Sequence, residues 1–285
     1  MTYKKRSLKF QFKLKSGAFD DKGNDTLTID NIKAEVEIGA YGGVSGSTLE
    51  CKLYGLGLDL MAKLSYKGIQ IDGAKQNLLK VWADDVIVFF GSITNCFADF
   101  NQMPDAPLFI TGNATGYEQS IPAPPFTAKG SIDVADIISS IASGIGYTVV
   151  NSGVSYMFSN PYFDGNPIEQ IKKAARAASI NVDPRNGVIF IWPQKGAVDD
   201  VKPLISPKTG LLGYPVFSNF GATFQCTFSN LIVIGRRCQL ETSLPNASGV
   251  YTITSATHHL SSWIEGGPWF TICRASLAQL ITIRQ

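Results

Sequence analysis

Hydrophobic and polar residues alternate with a period of two along most of this chain, and only a central stretch departs from that rhythm. Near the start, Leu8, Phe10, Phe12 and Leu14 take every second position between polar neighbours, as a half-buried strand requires. Thr26 to Ile29 is a second short strand. In KAEVEI (Lys33 to Ile38), Ala34, Val36 and Ile38 share one face, and in STLECKLYG (Ser47 to Gly55), Leu49, Cys51 and Leu53 do the same. LGLDLMAKLS (Leu56 to Ser65) is the one candidate helix of this region, with Leu60 and Leu64 at i and i+4. NLLKVWA, DVIVFFGSI and PLFITGNA then resume the strand pattern, with glycines and Asp/Asn clusters as punctuation. The pattern predicts a first domain over residues 1–116, a small β-barrel or sandwich with one helix.

SIPAPPFTAKG (Ser120 to Gly130) is too rich in proline for a sheet interior and marks a linker or domain seam. Beyond it the period lengthens. Ile137, Ile138, Ile141 and Ile145 form a helical stripe behind Asp133 as N-cap, and Gly144 and Gly146 stop that helix before a strand from Tyr147 to Val150. The design then repeats. Asn166 caps, Pro167 sits at the first helical position where a missing N–H costs nothing, and Glu169 completes an approximate capping box. Ile168, Ile171, Ala175 and Ala178 make the buried face, with Lys172, Lys173 and Arg176 outside. NVDPRNGVIFIWP reads as a hairpin whose turn is Asp183 to Gly187 and whose return strand alternates Val188, Phe190 and Trp192 with Ile189 and Ile191. Residues 117–203 are thus expected to be a small α/β module of two helix-strand units. From Leu204 the period of two returns through ATFQCTFS, LIVIGRRCQLETS, GVYTITSATHHLSSW and PWFTICRASL, which predicts a second β domain over 204–285. The expected class is α+β, mainly β.

A length of 285 residues, 45% of them hydrophobic, suits two or three folded domains. The net charge of +2 is too small to imply a nucleic-acid or membrane partner. Lys4, Lys5, Arg6, Lys9, Lys13 and Lys15 form a basic run without an acid, a binding patch or, since the apolar residues alternate through it, a solvated strand face. The N-terminus lacks the apolar run of about 7 to 15 residues of a signal peptide, and no segment reaches the roughly 20 apolar residues of a membrane span. Cytoplasm-like conditions of synthesis are expected. Cys51, Cys96, Cys226, Cys238 and Cys273 are odd in number and lack CxxC spacing, so they read as small buried apolar residues rather than disulfides or metal ligands.

Candidate chemistry is sparse. His258 and His259 are adjacent, and on a strand they point to opposite faces, so they do not ligate one metal together. No GxSxG, HExxH, GxxxxGK[ST] or GxGxxG appears, and GLGLDL at Gly55 lacks the third glycine. The pairs Asp20-Asp21, Asp84-Asp85 and Asp199-Asp200 have the types needed for glycoside hydrolysis but sit in turn-like contexts, where Asp accepts from backbone N–H groups. Trp192, Trp263 and Trp269 make either an aromatic platform for a sugar or core and interface anchors. No catalytic, cofactor-binding or metal-ligating residue is assigned, and no cofactor.

Three passages, in order, resemble the hub proteins of bacteriophage tail baseplates, the family that includes late control protein D and the trimeric hub of large contractile tails. They are DVIVFFGSI followed by PLFITGNATG; the helix and hairpin from Ser159 that end in Ile-Trp-Pro; and ISPKTGLLGYPVFSNFGATFQCTF through SGVYTITSATHHLSSWIEGGPWFTICRA. The resemblance covers roughly residues 8 to 275. It implies a structural, non-enzymatic protein with two tube-like β domains, three copies of which form a ring of six such domains between a six-fold tail tube and a three-fold spike. The implied partners are two further copies of the chain, the central spike protein and a tail tube or tube-initiator protein. The tape measure protein and baseplate wedge are further candidates, and neither a membrane nor a specific nucleic-acid sequence is among them. The implied location is the virion tail baseplate, after assembly in the host cytoplasm. The alternative from another class is a viral carbohydrate-binding or host-recognition module.

Overall fold

The computed structural model describes residues 6–44, 46–65, 76–219 and 221–277; Lys4 and Lys5 of the basic run lie outside them. The first segment contributes β1 (Leu8–Lys13), β2 (Thr26–Ile29), β3 (Ala34–Ala40), β4 (Thr48–Leu53), helix α1 (Leu58–Leu64), β5 (Leu78–Ala83), β6 (Val86–Ala98) and β7 (Leu108–Asn113). These strands pair antiparallel in the order β3-β4-β7-β6-β5-β1-β2. Phe10, Phe12, Leu49, Leu53, Phe89 and Leu108 are buried in their core, and α1 adds Leu64. Strand β6 runs further than the DVIVFFGSI pattern indicates. A bulge against β7 between Ile93 and Asn95 leaves Thr94 and Asn95 both exposed and returns Cys96 to the core. Simple alternation ends at that bulge although the strand does not.

The middle segment contributes α2 (Gly116–Ser120), β8 (Phe126–Thr127), β9 (Ser131–Asp133), α3 (Val134–Gly144), β10 (Thr148–Asn151), β11 (Met157–Ser159), β12 (Tyr162–Phe163), α4 (Pro167–Ala177), β13 (Ile180–Arg185) and β14 (Val188–Pro193). Helices α3 and α4 share a core with the three-stranded sheet β10-β14-β13, in which β10 runs parallel to β14. The proline passage is fastened rather than loose: β8 pairs with β12, and buried Gln170 of α4 accepts from Phe126 N (3.2 Å) and donates to Pro124 O (2.9 Å). The α4 cap is a full capping box. Glu169 N donates to Asn166 Oδ1 (2.9 Å), and Asn166 N donates to Glu169 Oε2 (3.2 Å). Asn166→Ala is expected to cost about 1 kcal/mol of stability, read as a lower denaturant midpoint at unchanged slope.

The hairpin turn is narrower than the sequence pattern suggests. Asn186 (φ 53°) and Gly187 (φ 80°) alone make it, both left-handed as a two-residue turn matching strand twist requires. Asp183, Pro184 and Arg185 belong to strand β13. Pro184 is tolerated there because β13 lies at the sheet edge, where no ladder N–H is needed from it.

The last segment contributes β15 (Leu204–Ile205), β16 (Leu211–Ser218), β17 (Gly221–Thr227), β18 (Arg237–Leu240), β19 (Gly249–Ser262) and β20 (Trp269–Leu277). Strand β19 organises the molecule. Its first residues pair with β18, and its later ones, Ala256 to Ser262, pair with β3. One sheet therefore runs β16-β17-β20-β19-β3 and on to β2. Tyr251, Ile253 and Ala256 of β19 lie in a core with Phe224, Cys226 and Leu240, whereas Leu260 lies in the core of the first segment. The fold is α+β and mainly β.

Candidate assembly surfaces and the junction behind them

The three segments meet at charged side chains. Arg185 of β13 lies over the Phe190 ring at 4.2 Å and pairs with buried Asp183 (3.3 Å). Arg236, just before β18, grips Asp199 through Nε (2.8 Å) and its terminal nitrogen. All four line a cavity of about 320 Å³ with His258, Phe228 and Ile38. Burial outweighs the attraction in the first pair: it raises the Asp183 pKa and lowers that of Arg185 although each partner opposes the shift. In the second, more open pair, the hydrogen bond from Arg236 comes first and holds the Asp199 carboxyl below its usual range. Asn186 Nδ2 also donates to Ile87 O (3.3 Å), so the hairpin tip is anchored on β6.

The remaining sequence candidates are dispersed. His258 and His259 point to opposite faces of β19: His258 Nδ1 meets Thr271 Oγ1 at 2.8 Å with Phe228 edge-on, while His259 Nδ1 faces Glu37 at 3.5 Å and its ring lies on Phe270. Although the residue as a whole keeps some surface, burial of the ring, with His259 beside it, pushes the His258 pKa down to about 4. A base whose folded pKa is depressed contributes stability that is complete above the unfolded value of 6.5 and lost as pH falls through 4. The wild type is therefore expected to lose up to about 3 kcal/mol more than His258→Gln between those limits, in parallel denaturation series.

Asp20 accepts from the backbone N–H groups of Lys22 and Asn24, as turn residues do, whereas Asp84 accepts from Ser7 N, 77 residues away. Asp199 likewise does more than its turn context suggests, because Arg236 is 37 residues away. The tryptophans form no platform. Trp192 is buried, Trp269 packs against Phe228 and Arg6, and of the three only Trp263 is largely exposed, at 56%. All five cysteines are buried thiols, and burial pushes Cys96 and Cys238 up to about 12. In the basic run, Lys9 lies over the Trp82 ring and Lys13 faces Asp25. Among the described residues no His/Cys/Asp/Glu group is placed to hold a metal ion, and no helix is long and apolar enough to cross a membrane.

What the surface offers instead is a sheet whose long path ends, among the described residues, in β2 and β16, with the two-residue β15 closing a side branch through β18. Strand β2 is short and polar at its exposed positions, Thr26 and Thr28. Strand β16 is different. Tyr214 and Val216 are each 68% exposed, with Leu212 and Phe217 beside them, and an irregularity between Leu212 and Val216 interrupts pairing to β17. A free strand edge carrying apolar side chains is a template for association unless another chain covers it. Sequence periodicity did not single it out, because alternation is the same whether the outward residues meet water or a neighbour.

This architecture of two β cores strung on one sheet, with a helical module between them, is similar to that of several solved structures. A 43 kDa tail protein of a Shewanella oneidensis prophage is similar over 95% of this chain and 97% of its own, at TM-score 0.66 and 9% identity. A tail protein from Neisseria meningitidis is similar over 95% and 96%, at 0.68 and 10%. An E. coli component of the type VI secretion system, itself described as similar to the T4 bacteriophage tail proteins gp27 and gp5, matches over 86% and 74%, at 0.60 and 10%. At such identities these likenesses establish the fold. No curated protein matches the chain in sequence. Residues 69–271 match the family described as baseplate hub gp41, and the chain belongs to that family. It is a structural protein of a bacteriophage tail, located in the virion baseplate.

Proposed function

We propose that three copies of this chain close into a ring in which each β core serves as one tube-like unit, giving six units that join a six-fold tail tube to a three-fold central spike. The observation that carries this reading is the single sheet that threads two cores along β19 and whose long path runs, among the described residues, between two unlike edges, β2 and β16. A contact between the two unlike edges is head-to-tail, and such a contact gives a ring when the rotation between copies closes. The apolar β16 edge is the contact that one copy offers the next. The two cores differ in their outward residues, so the six positions alternate in chemistry and one face accepts a six-fold partner while the other keeps three-fold order.

The role is mechanical, without turnover and without a cofactor. The tube or tube-initiator and the spike are the proposed direct partners, with the tape measure protein and baseplate wedge beyond them, and assembly takes place in the host cytoplasm. Native mass spectrometry of the purified hub, alone and with its spike protein, tests the reading: a mass of three hub subunits on one spike is expected, and a stable dimer in both preparations would overturn it.

A further inference from the structure

Between α4 and the last segment lies a cleft of about 450 Å³, which shares Ile234 with the cavity at the charged junction but none of its charged side chains. Its floor is apolar, made by Ala175, Trp192 and Ile234. Gly235 (φ 78°) lies against the Trp192 ring, where a Cβ would stand 2.5 Å from Cζ2, so only glycine lets that ring lie where it does. One wall is α4, which presents Lys172 and Arg176. Neither has an ion-pair partner among the described residues, and no Asp or Glu lines the cleft; Lys173, one residue on, is by contrast paired with Asp164. The lining also includes Tyr41, 60% exposed, with Gly42 and Gly43, whose N–H groups have no acceptor among the described residues.

We infer that this cleft takes an extended acidic segment of another tail protein, with alternate carboxylates on Lys172 and Arg176 and an apolar side chain against Trp192. The spacing supports a peptide over a small anion. Residues four apart on a helix are separated by about 6 Å along its axis, and alternate side chains of an extended chain by about 6.6 Å, so two acids of one strand reach both cations while a lone carboxylate reaches one. The N–H groups of Gly42 and Gly43, without an acceptor among the described residues, supply main-chain donors for the same strand. Two cations in a cleft lined by no acid repel each other and favour an anionic occupant. The inference rests on the baseplate location and not on the three-fold ring.

Phage carrying benzoylphenylalanine in place of Tyr41 provides the test. Irradiated intact virions are expected to yield a cross-link from position 41 to a second tail protein, at a segment with acidic residues at alternate positions. Lys172→Glu with Arg176→Glu is expected to lower its yield at least tenfold, whereas Lys208→Glu, outside the cleft, leaves it unchanged. If reversed charges stop particles forming, Lys172→Gln with Arg176→Gln gives the same readout. A cross-link to another copy of this chain, to a segment without acids, to nothing, or one indifferent to the two cations would overturn the inference. Hub copy number, counted in the same virions, reports on the ring separately.

Discussion

Asp183→Ala is expected to destabilise the protein by about 3–5 kcal/mol, the cost of leaving a buried cation without its partner. Arg185 is mostly enclosed, with 17% of its side chain exposed, and its guanidinium is fixed between Asp183 and the Phe190 ring. Both members of the pair have pKa values displaced toward their neutral forms, so desolvation already exceeds their attraction. That sign gives a second expectation. Asp183→Leu combined with Arg185→Met should recover most of the loss, since two apolar side chains of similar size replace a pair that costs more to bury than it returns. Equilibrium denaturation of the two single variants and the double variant measures the coupling. A double variant as unstable as the sum of the singles would show no coupling between the two side chains and contradict the expected recovery.

Tyr214→Asp combined with Val216→Asp is expected to act the other way, leaving the subunit intact and removing its assembly. Both side chains are exposed in the single chain and contribute little to its core, so the melting temperature should hardly move. In a ring they lie beneath the neighbouring copy, and an unpaired carboxylate buried there costs several kcal/mol. Since about 2.8 kcal/mol is already a hundredfold in association, infectious titre is expected to fall at least that far while unassembled hub accumulates. Wild-type titre from the double variant would show that β16 faces solvent in the particle.

How much of this was legible beforehand depended on whether the physics was local. The α4 capping box was readable because Asn166, Pro167 and Glu169 are adjacent and their bonds span three residues. The alternation of β1, β3 and β4 was readable for the same reason. Strand β6 outruns its pattern because its bulge is set by pairing to β7, and the pattern places Asp183 in a turn because Asp-Pro is turn chemistry wherever an edge strand does not override it. The passage of β19 from β18 to β3 joins residues more than 200 positions apart, as in Ser262 Oγ donating to Ile32 O at 2.6 Å, and no period announces it. The Asp199–Arg236 grip, the apolar β16 edge and the unpaired cations of α4 belong to the same class. Each residue type was ordinary in its place, and only the fold gave it a partner or withheld one.

Electron cryo-microscopy of the intact tail tip tests the central claim most directly, because it counts hub copies and reads their symmetry together. The expected result is three copies per tail, closed into a ring with six similar β units around the axis, and with the β16 edge of each copy covered by its neighbour. Six copies per tail, or a two-fold pair with β16 open to solvent, would contradict it.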